Sequence, residues 1–421
     1  MKMEVKRDNL LGKIKIRQNN GMIKIITGMR RCGKSYLLFN LFPKALMAEG
    51  VKADHIIKIN LEDRRHIKLR DPDELLNYID AQITDKDMYY ILLDEVQMVP
   101  DFEDVLNSYL HVPNADVFVT GSNAKFLSKD VITEFRGRGD EIRIHPFSFN
   151  EFLSVKDPQT PRDELILEYM TYGGLPQVVL MGTENEKRSY LRQLFAHTYL
   201  KDIKDRYNIL LDGDLEDLVN VLASSIGSLT NPRKLVNTFK SVKNSSISQD
   251  TLKCYLDYLE DAFLVEKCLR FDIKGKHYID TPYKFYFEDL GLRNARLNFR
   301  QIEETHLMEN LIYNELRRRG FAVDVGEVMV REQNGEGKME RKTLEVDFVC
   351  NQGYKRYYIQ SALSMDDEEK QKTELRPLCK INDSFAKYVV VGGMSAHYQN
   401  DDGIMMMSLY DFLKNPDILP V

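Results

Sequence analysis

Apolar and polar stretches alternate along the first third of the chain in a way that predicts strands and helices in turn. The stretch 22–27, "MIKIIT", is rich in isoleucine and holds no turn residue, which is typical of a buried strand. A loop framed by two glycines follows, and "YLLFNLF" after it has apolar positions that suit the buried face of a helix. Two further apolar runs, "YYILLD" and "DVFVT", lead into polar residues. The pattern predicts an α/β domain with a parallel sheet over residues 1–145.

The pattern becomes helical after this domain. Residues 146–212 show helical periodicity broken at Gly173, Gly174 and Pro176, which suits a small helical lid and connector. In residues 213–295, three amphipathic stretches precede two β-like runs. Pro232 stands at the start of the second stretch, and Ser248 is the predicted N-cap of the third. Three helices followed by a β-hairpin predict a winged-helix-like domain that contains a helix-turn-helix.

The last segment, residues 296–421, predicts a separate α/β domain. Its first helix, "IEETHLMENLIYNELRRRGF", carries Glu309 and Glu315. In the strand "TLEVDFVC", Glu345 and Asp347 share one face because side chains alternate along a strand. Another strand, a charged helix and the strand "KYVVVGG" follow.

Composition narrows the protein class. The chain is 43% hydrophobic and 29% charged, as in ordinary globular proteins. Its net charge of -6 means that contact with nucleic acid would need a local basic patch. The five cysteines are scattered without a CxxC pair, and no apolar run approaches the roughly 18 residues of a membrane span. We therefore expect a reduced, cytoplasmic protein with no membrane segment.

The stretch "GMRRCGKS", residues 28–35, matches the pattern GxxxxGK[ST] between a strand and a helix, the order required of a phosphate-binding loop. The backbone of such a loop curls around phosphate oxygens, and the helix N-terminus adds partial positive charge. Lys34 would reach the outer phosphates, and Ser35 would offer its hydroxyl to Mg²⁺. The predicted nucleotide-binding residues are Gly28, Met29, Arg30, Arg31, Cys32, Gly33, Lys34, Ser35 and Tyr36.

A second acidic site is expected for the metal and for water. The strand "YYILLDEVQ" ends in Asp94 and Glu95, and the carboxyl end of a parallel strand faces the ligand crevice. Asp94 would hold Mg²⁺ through water, beside the hydroxyl of Ser35, and Glu95 would polarise the attacking water. Taken alone, a strand that merely ends in two solvated carboxylates is an equally good interpretation. Together with the phosphate-binding loop, the pair favours hydrolysis.

Two further polar positions are candidates for catalysis. "DVFVTGSN" ends in Ser122 and Asn123, and Asn123 would contact the γ-phosphate or the water. "EFRGRGDEIRIH" places Arg136 and Arg138 in a glycine-containing turn, where an arginine would stabilise transition-state charge in cis or from a neighbouring subunit. We favour Arg138, although each arginine alone is typical of an ordinary surface residue.

These motifs together resemble a widespread prokaryotic family of AAA+ ATPases. The resemblance lies in "TGMRRCGKS", "INLED", "ILLDEVQ", "TGSN" and "FRGRGDEIRIHPFSFNEF", and continues through "YGGLPQVVL" and "YLKDIKDRYNI". It implies a P-loop NTPase with an AAA+-like sheet and lid, ATP and Mg²⁺ as cofactors, and ring formation. It also implies a winged helix and a C-terminal domain of uncertain function with a nuclease-like fold.

The final domain resembles a restriction-endonuclease-like core, in which a helix glutamate, an aspartate and an ExK pair gather Mg²⁺. Glu309 and Asp347 match the first two, but the ExK position holds Gln360, Ser361 and Ala362. An amide is a far weaker Mg²⁺ ligand than a carboxylate, and alanine supplies no cation. We expect a degenerate nuclease-like domain that is kept for binding or assembly.

The leading hypothesis is an ATP-hydrolysing switch or motor that acts on a DNA or protein partner through residues 213–421 and forms a homo-oligomer. An ATP-gated nuclease or DNA-binding enzyme and a slow-turnover protein scaffold are the alternatives. DNA binding through the predicted recognition helix is disfavoured, because phosphates repel its acidic residues. Against Lys253, this helix carries Asp250, Asp257, Glu260 and Asp261.

Overall fold

The computed structural model describes residues 4–121, 137–209, 212–243, 247–333, 338–393 and 397–419. The chain forms two compact units. The first comprises Met1–Pro146 with Asp261–Phe263, and the second comprises Phe147–Glu260 with Leu264–Val421. The first unit therefore ends one residue beyond the predicted boundary at 145 and also takes in a short segment from much later in the chain.

The first unit contains a five-stranded parallel sheet in the spatial order β2-β3-β4-β1-β5. The strands are β1 (Ile23–Thr27), β2 (Ile56–Asn60), β3 (Tyr89–Asp94), β4 (Ala115–Thr120) and β5 (Gly139–Arg143). The helices are α1 (Asp8–Lys15), α2 (Lys34–Tyr36), a π-helical turn (Leu37–Leu41), α3 (Phe42–Ala48), α4 (Pro72–Asp80) and α5 (Phe102–Tyr109). Short 3₁₀ turns cover Ala53–His55, Arg64–Arg70 and Val96–Met98. The predicted α/β fold with a parallel sheet is confirmed for this unit.

All five residues of β1 are buried, as its apolar sequence predicted. One of them is Lys24, which is fully buried and forms an ion pair with buried Asp116 on neighbouring β4. On one side of the sheet, the ring of Phe42 lies 4.7 Å from that of Phe118. The sheet thus packs in an apolar core that also contains the Lys24–Asp116 ion pair. Because its strands are parallel, their carboxyl ends lie at the same edge of the sheet.

The second unit begins with helices. They are α6 (Phe149–Leu153), α7 (Arg162–Tyr172), α8 (Pro176–Val179), α9 (Glu184–Leu194), a π-helical turn (Phe195–Leu200), α10 (Lys201–Tyr207), α11 (Asp212–Ser224), α12 (Pro232–Thr238), a π-helical turn (Phe239–Lys243) and α13 (Gln249–Asp261). The expected cap is present, since the main-chain amide of Thr251 donates to Ser248 Oγ over 3.0 Å.

The two glycines of "YGGLPQ" form a tight structural turn in this unit. Gly173 has φ 73°, and a Cβ at that position would lie 2.4 Å from the carboxylate oxygens of Asp289. The main-chain amide of Gly174 donates to Asp289 Oδ2 over 2.8 Å. Only glycine fits such a close approach, which accounts for the sequence of this turn.

A mixed eight-stranded sheet completes the second unit, in the order β12-β13-β11-β10-β9-β8-β6-β7. Its strands are β6 (Val265–Asp272), β7 (His277–Phe287), β8 (Ala322–Gln333), β9 (Met339–Gln352), β10 (Lys355–Ala362), β11 (Ala386–Val391), β12 (Tyr398–Gln399) and β13 (Met405–Ser408). The associated helices are α14 (Leu290–Arg296), α15 (Glu304–Arg318), α16 (Glu368–Cys379) and α17 (Leu409–Lys414).

This sheet contains strands from both sides of the predicted domain boundary at residue 295. The predicted hairpin forms as β6 and β7, but β6 also pairs in parallel with β8. The hairpin is therefore part of the same sheet as the C-terminal strands. The three helices α11, α12 and α13 precede the hairpin in the predicted order, and their winged-helix arrangement stays a prediction.

Candidate functional site

The glycine-framed loop leaves the carboxyl end of β1 and enters a helical run over residues 34–48. Gly28 has φ 140°, and a Cβ on it would lie 2.2 Å from the carbonyl oxygen of Ile144. Arg31 and Gly33 also have positive φ, at 65° and 101°. Residues in this conformation turn successive amides toward one side, which is the geometry of an anion-binding loop.

Lys34 folds back over its own loop. Its ammonium donates to the carbonyl oxygens of Gly28 at 2.8 Å and of Met29 at 3.0 Å, and only 7% of the residue is exposed. Both acceptors are neutral, so an incoming phosphate would be a stronger partner for the ammonium than either carbonyl. The lysine is therefore held at the loop by hydrogen bonds to neutral groups.

Ser35 and Asp94 meet across the sheet edge, with Ser35 Oγ 3.1 Å from Asp94 Oδ1. Two oxygens bound to one Mg²⁺ at right angles lie about 2.9 Å apart, because each Mg–O distance is about 2.05 Å. The hydroxyl and the carboxylate are thus spaced as two ligands of a single Mg²⁺ would be. Burial raises the pKa of Asp94, against the lowering effect of hydrogen bonds from Thr120 and Ser35.

Thr120 links the carboxylate of Asp94 to the main chain of Glu95. It ends β4, which lies between β1 and β3, and its hydroxyl donates to Asp94 Oδ1. The same hydroxyl accepts a hydrogen bond of 3.2 Å from the main-chain amide of Glu95. Glu95 has φ 57°, an uncommon conformation for a residue with a side chain that often accompanies functional sites. No local pattern predicted the role of Thr120, which directly precedes "GSN" in the chain.

Arg7 braces the loop from the N-terminal segment. Its guanidinium donates to the carbonyl of Cys32 at 3.2 Å and to the carbonyl of His145 at 2.8 Å, and only 6% of the residue is exposed. The two acceptors lie in the glycine-framed loop and directly after β5. Nothing in the local sequence around Arg7 indicates this contact, because it depends on chain segments 25 and 138 residues away.

Not every predicted loop residue can present its side chain to a nucleotide. Met29 and Cys32 are buried in the core, so only their main-chain groups are available to a phosphate. Tyr36 is 48% exposed, and its hydroxyl lies 3.1 Å from Glu4 Oε1. Arg30 and Arg31 are less buried than their neighbours. Their side-chain contacts with nucleotide stay a prediction.

The two remaining catalytic candidates are placed differently. Asn123, like Ser122 and Arg136, lies outside the described residues. Arg138 is exposed, and its carbonyl accepts from the amide of Ile23 where β5 begins. Because β1 and β5 are parallel, this is the edge opposite the glycine-framed loop, roughly 16 Å away along the strands. This placement disfavours a role for Arg138 in cis at this loop, and its catalytic role, in cis or in trans, stays a prediction.

Among the described residues of this stretch, Arg143 is an arginine that lies at the loop side of the sheet. It pairs in register with Thr27, the residue directly before Gly28. Its guanidinium carbon lies 4.8 Å from the ring centroid of Phe263, in the segment Asp261–Phe263 of the first unit. Arg143 lies in the apolar–polar stretch "EIRIH", whose pattern alone predicts a strand residue and no catalytic role.

The second unit also gathers charged side chains, around Lys284 of β7. Its ammonium lies 2.8 Å from Glu309 Oε1 and 2.7 Å from Glu345 Oε1. The hydroxyl of Tyr286 donates to the same oxygen of Glu309 over 2.6 Å. Burial lowers the pKa of Lys284, but the carboxylates of Glu309, Asp347 and Glu345 outweigh this effect and leave the pKa raised. We call Glu309, Glu345 and Asp347 the tail carboxylate cluster.

Asp347 completes this cluster. It is 8% exposed, and its Oδ2 accepts from the main-chain amide of Ser361 over 2.8 Å. Burial and the nearby carboxylate of Glu309 raise the pKa of Asp347. Glu315, the other acidic residue predicted from the same helix, does not join the cluster, since it pairs with Arg318 at 3.1 Å and Arg319 at 2.8 Å.

The strand that carries the degenerate ExK position supplies neither the carboxylate nor the lysine of that motif. Gln360 Oε1 accepts from the amide of Asp347 over 3.3 Å, and its Nε2 donates to Glu374 over 3.3 Å. Ala362 is 1% exposed and lies in an apolar cluster with Tyr358 and Val389. Among the described residues, the only predicted nuclease-like groups that come together are therefore Glu309, Glu345 and Asp347.

A match to a protein family supports the P-loop NTPase fold predicted for the first unit. A family described as an AAA domain matches residues 20–153, and a domain of unknown function (DUF8612) matches residues 163–303. The second match crosses the predicted boundaries at 212 and 295. It ends beyond the β6–β7 hairpin and α14. Among the described residues, none of the helices combines the length and apolar character that a membrane crossing requires.

Two similar proteins are both described as uncharacterised. One, from Haemophilus influenzae, is 32% identical over 418 residues, which span 98% of this chain and 99% of that protein. The other, from Methanocaldococcus jannaschii, is 30% identical over 369 residues, which span 85% of this chain and 78% of that protein.

Similarity to solved structures is low. The Aeropyrum pernix Orc1 protein in complex with DNA has 11% identity and a TM-score of 0.29, covering 70% of this chain and 93% of that chain. The Vibrio cholerae protein VC1899 has 14% identity and a TM-score of 0.20, covering 86% of this chain and 96% of that chain. Similarities at this level carry no inference about function.

Proposed function

Because this chain belongs to the same family as the Haemophilus influenzae and Methanocaldococcus jannaschii proteins and carries an AAA domain, we propose that it binds ATP and hydrolyses it with Mg²⁺. The observation that carries the proposal is the contact between Ser35 and Asp94 at the end of the glycine-framed loop. It brings a hydroxyl and a buried carboxylate together beside a lysine that is bonded only to neutral carbonyls.

Each residue has a distinct part in this function. Lys34 would exchange its two carbonyl partners for the outer phosphates of ATP, and Ser35 and Asp94 would hold Mg²⁺. The bound metal supplies positive charge to the phosphate oxygens. Glu95 would orient and polarise the attacking water, and Thr120 would fix the turn that positions Glu95. Arg7 would keep the loop in its binding conformation by holding the carbonyl of Cys32.

Two variants separate binding from hydrolysis. We expect Lys34→Ala to abolish ATP binding, measured with a fluorescent ATP analogue. Glu95→Gln should bind the analogue as the wild type does and lower phosphate release by about 100-fold or more, since it removes the predicted general base. Equal hydrolysis by the wild type and Glu95→Gln would contradict the role of Glu95.

The second unit is proposed to receive the nucleotide signal and to bind a DNA or protein partner. The exposed residues of α13 include Asp250, Lys253 and Asp257, a net acidic set that disfavours phosphate contact through this helix. A protein partner is therefore the better candidate for this surface. ATP turnover measured with added DNA, RNA or cell-extract fractions would identify the partner class. Stimulation by DNA that persists in high salt would contradict the preference for protein.

A further inference from the structure

The tail carboxylate cluster places three acidic side chains around one lysine. Glu309 and Asp347 are each 8% exposed, and the Lys284 residue between the acidic groups is 3% exposed. Oxygen atoms that converge in this way are typical ligands of hard divalent cations. In this chain, however, the positive charge in contact with them is a side chain of the protein itself.

The ammonium of Lys284 already contacts carboxylate oxygens that would otherwise be available to a metal ion. Its ammonium is within 2.8 Å of oxygens from both Glu309 and Glu345. The oxygen of Glu309 that it contacts also accepts the hydroxyl of Tyr286. A divalent ion would have to displace the ammonium and would leave it buried beside a second positive charge. Burying an unpaired charge is strongly unfavourable, so displacement is opposed.

One further polar atom lies close to this cluster. Ser361 is 8% exposed, and its Oγ has no hydrogen-bond partner among the described residues. Its main-chain amide donates to Asp347. An unsatisfied buried hydroxyl beside a buried carboxylate is a further oxygen available to a cation, but Ala362 and Gln360 add none of the charged groups that metal-dependent cleavage needs.

We propose that Lys284 is the resident cation of the tail carboxylate cluster and closes it to divalent metal ions. The cluster then stabilises the sheet and α15 rather than cleaving nucleic acid. The proposal concerns the second unit alone and does not depend on the proposed ATPase activity. It also identifies the residue that has to be removed before a metal can enter.

The test is a Mn²⁺ titration of the full-length protein without nucleotide, with free Mn²⁺ followed by electron paramagnetic resonance. Every sample carries Asp94→Asn so that the P-loop region does not contribute. We expect no difference between this protein and one with Asp347→Asn added. Adding Lys284→Met should create one new Mn²⁺ site per chain, and combining Lys284→Met with Asp347→Asn should remove that site again.

Two outcomes would overturn the proposal. One is a Mn²⁺ site in the protein that retains Lys284 and that Asp347→Asn removes. The other is a folded Lys284→Met variant that gains no site. Mn²⁺-dependent cutting of DNA or RNA that is lost in Asp347→Ala would overturn it as well.

A second measurement needs no change at Lys284, in case the methionine variant does not fold. The wild type is treated with an acetylating reagent with and without millimolar Mn²⁺, and each lysine is followed by mass spectrometry. Lys284 should stay unmodified in both conditions, whereas the exposed control Lys253 should be acetylated in both. Acetylation of Lys284 that rises with Mn²⁺ would show that the metal displaces it and would contradict the proposal.

Discussion

Lys34 of the first unit and Lys284 of the second are both buried beside oxygen atoms, but their partners differ. Lys34 donates to two neutral main-chain carbonyls, whereas Lys284 contacts two carboxylates. A hydrogen bond between an ion and a neutral group is weaker than one between two opposite charges. Lys34 can therefore transfer to an anionic ligand, while Lys284 is already neutralised by its own chain. The same residue type thus suits ligand binding in one unit and structural stabilisation in the other.

The difference between the two lysines can be tested by replacing each one with alanine and measuring the free energy of unfolding. We expect Lys284→Ala to lower the free energy of unfolding of the second unit by roughly 3–5 kcal/mol, because buried Glu309 loses its counter-charge. Lys34→Ala should cost the first unit only roughly 1 kcal/mol, since it removes bonds to neutral carbonyls. Urea unfolding of the full-length variants, followed by tyrosine fluorescence and circular dichroism, gives both values. Equal losses would contradict the distinction.

Asp289 is a buried carboxylate whose hydrogen bonds come from main-chain amides, which makes it a useful contrast to the carboxylates that contact Lys284. Asp289 accepts from the main-chain amides of Gly174 and Leu292, and burial raises its pKa to about 6. The folded state therefore holds a proton that the unfolded state releases at lower pH. This contribution to stability is complete below about pH 4 and is lost as the pH rises through about 6, a change of about 3 kcal/mol.

Asp289→Asn should remove that part of the pH dependence. The measurement is urea unfolding of wild type and variant at several values between pH 4 and pH 7, and the wild type should lose more stability across this range. Asp324, whose pKa burial also raises to about 6, remains in both proteins as an internal reference. An unchanged pH profile would mean that Asp289 is ionised in the folded protein throughout this range.

The hydrogen bond from Arg7 to the glycine-framed loop predicts a smaller effect, on the KM for ATP. We expect Arg7→Ala to raise the KM for ATP about tenfold, equivalent to about 1.4 kcal/mol, because the carbonyl of Cys32 loses its donor and the loop loses preorganisation. The kcat should change less than KM, since Arg7 does not contact the reacting groups. Arg7→Lys, which can keep one of the two hydrogen bonds, should fall between. An unchanged KM in Arg7→Ala would exclude this role.

The smallest expected effect concerns Arg138. Because it lies at the opposite end of β5, Arg138→Ala should leave the affinity for an ATP analogue unchanged within about twofold in dilute protein. If it acts in trans, phosphate release by the wild type should rise with protein concentration, and the variant should lose that rise. A lower affinity of the monomeric variant would contradict the placement.

The sequence predicted the first unit well because its chemistry is local. The residues 28–35 are contiguous, and the strand before them and the helix after them are marked by apolar patterns of their own. Asp94 and Glu95 were found because they directly follow an apolar strand. The contact of Asp94 with Thr120 was not predictable, since it depends on β4 lying between β1 and β3.

The second unit was predicted less completely because its charged cluster is assembled from distant segments. Glu309, Glu345 and Asp347 were identified from a helix and a strand. Lys284 was overlooked because it lies in a strand that was assigned to a different domain. Its contact with Glu309 spans 25 residues and exists only because β6 and β7 join the C-terminal sheet.

Short-range patterns in the chain thus predicted the glycine-framed loop between β1 and its helix, the order of strands and helices, and most of the acidic residues of both candidate sites. Periodicity and turn chemistry act over a few neighbouring residues, so they can be recognised without coordinates. Strand order, the placement of Arg138 away from the loop and the pairing of Lys284 with carboxylates depended on the tertiary structure. These features follow from which distant segments pack together, and that is decided by the burial of the whole core rather than by any local pattern.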